Sequence, residues 1–171
     1  MKRMFVLSLA LLPFAIWAAE PCADCPKTKQ LDAADVEVIP LMKMDLSSMT
    51  CGSGSAQKGL ANERKPLIIG GKTYTCGVGT HAPSRYEVAL EGNALSFSAM
   101  VGIDHEVRGQ GRAEFIIYGD GKVLARTGIM RKKDGAKPIY ADLTDVKVVE
   151  LVVTDGGDGI NCDHADWCNA T

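Results

Sequence analysis

Beyond its first twenty residues this chain has no apolar run long enough to cross a bilayer as a helix. It also lacks a surplus of either charge. Nineteen Lys and Arg stand against twenty-one Asp and Glu, a formal net charge of −2, and the basic residues form no stripe. Nucleic acid is therefore a poor partner, because phosphate backbones select clustered positive charge. Enzyme signatures are missing as well. There is no G-x-S-x-G elbow, no H-E-x-x-H and no Walker loop. No pair of carboxylates is singled out for glycoside hydrolysis, and no nucleophile stands beside a base. The sequence predicts a protein without catalysis, without nucleic acid and without membrane insertion. After residue 20 it also shows no helical periodicity of normal length.

What is present begins with an export signal. Lys2 and Arg3 precede an apolar stretch over 5–19 that closes in small residues, so residues 1–19 read as a signal peptide cleaved after Ala18 or Ala19. No cysteine follows directly, which argues against a lipoprotein anchor. A secreted or periplasmic location is expected, and the six cysteines (Cys22, Cys25, Cys51, Cys76, Cys162 and Cys168) then point to disulfides. Residues 20–35 are polar, contain Pro21, Pro26 and the Cys22–Cys25 pair, and read as a tail or linker. That C-x-x-C has no second pair at zinc-ribbon spacing and no βαβ pattern after it, so a small exposed disulfide is the expected reading.

From residue 36 onward the period is two. Val36 and Val38, then Tyr86, Val88 and Leu90, then Leu95, Phe97, Ala99 and Val101 alternate with their neighbours. Phe115 with Ile117, and Val149, Leu151 and Val153, do the same. Half-buried antiparallel strands give this pattern. Turn signals fall between the runs at Gly70-Gly71, Glu91-Gly92-Asn93 and Gly119-Asp120-Gly121. Short strands at regular spacing predict an all-β antiparallel sandwich or jelly roll over 36–171. Three stretches, 47–64, 102–111 and 156–171, read as long loops, where binding groups concentrate.

The three histidines are His81, His105 and His164. Two sit in acid clusters, Asp104-His105-Glu106 and Asp163-His164-Ala165-Asp166. Asp155, Asp158, Asp163 and Asp166 could hold Ca²⁺ through oxygen ligands or could cap tight turns through Asx bonds. Trp167 is the only tryptophan outside the signal peptide. It either plugs the core or offers its face to a ligand such as a sugar ring, whose hydroxyls suit the neighbouring acids and imidazole.

Four stretches in order carry a resemblance: KPLIIGGKTYTCGVGTHAPSRYEVAL, FSAMVGIDHEV, FIIYGDGKVLARTGIM and LVVTDGGDGINCDHADW. With Gly-Val-Gly-Thr-His-Ala at 77–82, Val-Gly-Ile-Asp at 101–104 and Asp-His-Ala-Asp-Trp at 163–167, the chain from about Glu37 to Ala170 resembles the NPCBM/NEW2 domain, carbohydrate-binding module family 51. The resemblance implies a galactose-binding-like jelly-roll sandwich, often with structural calcium, that holds a glycan containing galactose or N-acetylgalactosamine in its end loops. A separate glycoside hydrolase is an implied partner. The implied site gathers His81, Asp104, Asp163, His164, Asp166 and Trp167. Asp163 and Asp166 would orient loops or, with Asp155 and Asp158, bind calcium, while His81 and Trp167 lie nearer the ligand.

The chain departs from the family pattern in two ways. Gly52-Ser53-Gly54 stands where the family usually has Gly-Trp-Gly, so a large aromatic is missing. Cys51, Cys76, Cys162 and Cys168 replace ordinary positions, which implies two disulfides. Three pairings exist, and Cys51–Cys76 with Cys162–Cys168 is the preferred one. A secreted, free-standing glycan-binding module is the expected function. The alternative is an envelope or extracellular protein-interaction domain that kept the fold and lost the sugar site.

Overall fold

A computed structural model describes residues 36–109 and 111–171. It is an antiparallel β-sandwich, with two short 3-10 turns and no α-helix among the described residues. The strands are β1 (Gln57–Lys58), β2 (Leu67–Ile69), β3 (Lys72–Tyr74), β4 (Gly77–His81), β5 (Ser84–Ala89), β6 (Ser96–Ile103), β7 (Arg112–Gly119), β8 (Lys122–Arg131), β9 (Lys137–Asp142), β10 (Val148–Thr154) and β11 (His164–Cys168). One sheet runs β1-β4-β11-β6-β9, the facing sheet β5-β10-β7-β8, and β2-β3 form a separate hairpin.

The strands form where period-two patterning meets turn chemistry. In β10, Val149, Leu151 and Val153 are buried while their neighbours are half-exposed. In β6, Phe97, Ala99 and Val101 turn inward. The β7–β8 hairpin closes on Asp120 and Gly121, both with positive φ, and β2–β3 closes on Gly70-Gly71. Two-residue loops of this kind match the right-handed twist of the strands they join. Val36 and Val38, by contrast, are exposed and outside any strand. Their alternation has no partner strand to bury one face against. The stretch 156–171 is only half loop, because β11 fills its second part.

The core between the sheets centres on Trp167, which has no exposed surface. Phe115 meets it edge-on at 5.1 Å between ring centroids and Phe97 at 5.8 Å. Aromatic quadrupoles favour this arrangement. A second, smaller core lies on the outer face of the five-stranded sheet, where Ala61, Leu67, Ile69, Tyr74 and Cys168 bury one another. Glycines make room for it. A Cβ on Gly79 would lie 2.4 Å from the Leu60 carbonyl oxygen, and one on Gly102 would lie 2.5 Å from Ile69 Cγ2. Gly79 and Gly102 flank Asp166 in the ladder. The β2–β3 hairpin and residues 60–61 therefore settle onto the sheet and cover that carboxyl.

No bond joins any two of the four described cysteines in this structure. The preferred pairings do not fit this fold. Cys162 precedes β11 and Cys168 ends it, about 15–20 Å apart along extended chain. Cys51 Sγ lies 3.0 Å from Thr80 Oγ1, four residues along β4 from Cys76, or about 13 Å. Disulfide-linked α-carbons are rarely more than about 7 Å apart. Cys22 and Cys25 lie outside the described residues.

Candidate functional site

β4 ends at His81, β11 begins at His164, and β6 ends just before Asp104. These three neighbouring strands bring the chemistry together on the outer face of the sheet. His81 and His164 are opposed in the β4–β11 ladder, and their rings lie 5.0 Å apart between centroids. His81 is 5% exposed and uses Nδ1 on the Ala82 carbonyl oxygen at 2.7 Å. Burial pushes its pKa down, opposed by that hydrogen bond and reinforced by His164, so His81 favours the neutral ring. In that form Nδ1 donates to Ala82 and Nε2 keeps its lone pair. His164 Nδ1 pairs with Glu106 Oε1 at 2.6 Å. The same Glu106 oxygen accepts the Glu63 backbone N–H at 3.0 Å. Both imidazoles are thus fixed through Nδ1, which leaves each Nε2 without a partner among the described residues. Glu106 Oε2 is buried and unpartnered.

Asp104 is a brace. Its Oδ2 accepts from Ile68 N at 2.8 Å, pinning the β2–β3 hairpin, and its Oδ1 accepts from Glu106 N. Asp166, beneath that hairpin, is fully buried. Burial, then the neighbouring Asp104, then the Glu106 charge push its pKa well above the ordinary carboxyl value. The shift favours the neutral acid beside Asp104. Asp163 sits in the turn before β11. Its Oδ1 accepts from Arg112 N at 2.7 Å, and its carbonyl oxygen accepts from Ala82 N at 2.9 Å. Burial pushes its pKa up to about 6, against the Arg112 N–H and with help from Asp158 and Asp155.

The structure therefore sorts the predicted residues. His81, nearly buried, and His164, half-buried, form the imidazole pair, and Asp104, Asp163 and Asp166 hold the strands and loops around them. Trp167 does not belong to the site. It alternates with Asp166 along β11 and points into the core, so of its two readings the plug is the one realised. His105 is exposed and its backbone N–H bonds Ile68. Glu106 belongs to the site without having been singled out. Its only sequence signal was a place in the 104–106 cluster, and its role comes from contact with β11, 58 residues away. Glu63, Lys65 and Arg108 are exposed charges around it.

The expected calcium trio does not converge. Asp155 Oδ1 caps its own turn through Gly157 N at 2.9 Å, and Asp158 faces Arg112 Nη1 at 3.6 Å. Asp163 takes the Arg112 backbone. The Arg112 guanidinium supplies positive charge at this place, and among the described residues no three His, Cys, Asp or Glu side chains surround a common point.

The profile of the NPCBM/NEW2 domain matches residues 37–171. The chain belongs to this family. A family 51 carbohydrate-binding module from Clostridium perfringens GH95, solved with methyl-galactose, is 28% identical with a TM-score of 0.71, covering 77% of this chain and 97% of that one. The second family 51 module of C. perfringens ZmpB, solved with GlcNAc, is 33% identical at the same TM-score, covering 77% of this chain and 30% of that one. Alpha-1,3-galactosidase B of Akkermansia muciniphila is 35% identical over 104 residues, 59% of this chain. A Renibacterium salmoninarum relative, provisionally named an endo-alpha-N-acetylgalactosaminidase, is 31% identical over 151 residues, 85% of this chain. The chain spans only 13% and 10% of those two curated relatives.

Gly52-Ser53-Gly54 borders the site. Gly52 N donates to the His81 carbonyl oxygen at 2.9 Å, and Asn62 Nδ2 donates to the Ser53 carbonyl oxygen at 3.1 Å. A Cβ on Gly52 would lie 2.2 Å from the Ala82 carbonyl oxygen. The loop thus keeps the backbone that its glycines require and presents an exposed serine between them.

Proposed function

We propose that this carbohydrate-binding domain is secreted or periplasmic and recognises galactose-type glycans, containing galactose or N-acetylgalactosamine, without catalysis. The observation that carries the reading is the His81–His164 pair, its rings 5.0 Å apart, with Nδ1 of each ring engaged. Pre-oriented imidazoles offer Nε2 to sugar hydroxyls at little entropic cost, and the buried Glu106 carboxylate behind them holds the His164 ring in place. Galactose in one structural neighbour and galactosidase names among the curated relatives support the sugar class. A shallow site of this kind binds with Kd from about millimolar to micromolar, roughly −4 to −8 kcal/mol. If calcium is bound, it requires backbone carbonyl ligands beyond the Asp155, Asp158 and Asp163 carboxylates.

Calorimetric titration with galactose, N-acetylgalactosamine, GlcNAc and galactose-bearing oligosaccharides tests this. His164→Ala is expected to weaken galactose binding at least tenfold in a protein that still folds but melts lower, because the buried Glu106 carboxylate loses its imidazole partner. Equal binding by His164→Ala and His81→Ala would remove the pair from the site.

One observation favours a second reading, an extracellular protein-interaction domain. Ser53 removes the aromatic platform on which a sugar face could stack, while an apolar cleft lined by Val38, Leu41, Val88, Leu95 and Leu143 opens elsewhere. A folded protein that gives no heat with any of the sugars would overturn the galactose reading and favour this one.

A further inference from the structure

Cys168 is fully buried at the end of β11, in the small outer core with Leu67, Ile69 and Tyr74. Cys76 is half-buried, two residues beyond Tyr74, where the chain bends from β3 into β4. The two cysteines are diagonal neighbours across the ladder. Cys168 opposes Gly77, and Asn169 N donates to the Cys76 carbonyl oxygen at 2.8 Å. The approach is close because position 77 is glycine: a Cβ there would lie 2.9 Å from the Cys168 α-carbon. Opposed antiparallel α-carbons are about 4.5–5.5 Å apart, so a diagonal pair one step off lies near 6 Å. Disulfides span about 4.4–6.8 Å. Regular alternation would put Cys76 on the other face of the sheet. The bend at 75–76 and the φ of +153° at Gly77 break that alternation. The Cys76 thiol also acts electrostatically on Cys168, after burial, Asp166 and Asp104.

We propose that Cys76 and Cys168 form a cross-strand disulfide that fastens β11 to the β3–β4 corner. The other described cysteines have no such geometry. Cys51 is engaged with Thr80, and Cys162 packs against Gly109 and the main core. The oxidant is a small-molecule or protein disulfide. Cys76, the more accessible thiol, attacks it as the thiolate, forming a mixed disulfide and releasing one oxidant thiolate. Cys168 then attacks the Cys76 sulfur and releases the second. The protons of Cys76 and Cys168 pass to the two departing thiolates, so one oxidant disulfide is reduced for each bond formed. Burial raises the Cys168 pKa, so closure belongs to folding, before the β2–β3 hairpin covers this thiol.

The test is a disulfide map of the full chain, refolded from denaturant in a glutathione redox buffer, alkylated and digested with trypsin without reduction. Cys76 falls in peptide 73–85, and a second cut after Trp167 separates Cys162 from Cys168. The expected product joins peptide 73–85 to 168–171 and disappears on reduction. Alkylation of both residues, or a bond from either to Cys51 or Cys162, overturns the proposal. Melting supplies a second readout. The oxidised protein should melt about 5 °C or more above the reduced protein, given a closed loop of about ninety residues. That gap should close in Cys76→Ser, whose side chain leaves the small core intact. A gap that persists in Cys76→Ser likewise overturns it.

Discussion

Trp167→Ala would seem a natural probe of sugar binding, because a lone tryptophan among acids and a histidine suggests a stacking platform. The structure predicts that the substitution instead strikes the core and costs a large share of the protein's stability. Trp167 has no exposed surface and meets Phe97 and Phe115 edge-on. Truncating a buried tryptophan to alanine costs about 3–5 kcal/mol in transfer and cavity terms. Losing the two ring contacts adds about 1–2 kcal/mol. A domain of this size is stable by about 5–15 kcal/mol, so Trp167→Ala is expected to lose a third or more of its stability and to approach unfolding at the low end of that range. Trp167→Phe is the useful variant. It keeps a ring in the cavity and should cost about 2 kcal/mol. With a urea m-value of about 1.5 kcal/mol/M, the midpoint falls by somewhat more than 1 M. Far-UV circular dichroism must follow the transition, because the variant has no other tryptophan outside residues 1–19. Galactose affinity in native buffer should stay within twofold. A Trp167→Phe protein with an unshifted midpoint and abolished binding would falsify the assignment of this ring to the core.

Four further outcomes follow from the same contacts. Ser53→Trp, between the exposed edge of the loop and Asn62, should tighten galactose binding about tenfold by restoring a ring for the sugar face, measured by calorimetry; unchanged affinity would mean the loop does not overhang the site. Gly52→Ala should destabilise by about 1–3 kcal/mol in urea titration, because its Cβ meets the Ala82 carbonyl at 2.2 Å. Asp163 is pushed up to about 6 by burial. The folded state therefore holds a proton that the unfolded chain releases between about pH 4 and 6, and this contribution to stability falls as pH rises through that window. His81, pushed down by burial, has the opposite sign near its ordinary value. The melting temperature of wild type minus that of Asp163→Asn isolates the first group and should decrease from pH 4 to 7; a flat difference refutes the shift. Finally, because Arg112 faces Asp158 and takes Asp163 through its backbone, EDTA should leave the melting temperature within about 1 °C, whereas a larger drop would show a calcium site built on other oxygens.

The parts of the fold legible in sequence are those with one wet face. β6 and β10 alternate because one side meets the core and the other meets solvent. β4 and nearly all of β11 are buried on both faces, so Gly-Val-Gly-Thr-His and His-Ala-Asp-Trp-Cys carry no period; the first gives no strand signal and the second reads as part of a loop. β8 failed for the opposite reason. It is the longest strand and mostly exposed, with Gly128 at positive φ and its register broken against β7. The site was legible as residue types. His81, Asp104, Asp163, His164 and Asp166 do come together, yet their division into paired imidazoles and buried braces depends on which face of a strand each occupies. That face is decided by the hairpin laid over Gly79 and Gly102. Sequence showed an acid two residues past Asp104 but had no means of joining Glu106 to His164.

Leu41 N donates to the Ala170 carbonyl oxygen at 2.9 Å, and Ser98 exchanges backbone bonds with Thr171. The sandwich thus starts beside the point where it finishes. Adjoining ends make a domain portable: it can be spliced into a surface turn of a host without prying the host apart, and its own chain can be rejoined there and reopened elsewhere. The exposed Glu91-Gly92-Asn93 turn is a suitable place to reopen it. A circular permutant broken at that turn, with a short glycine linker closing 171 to 40, should keep the same pair of imidazoles on the same face of the sheet.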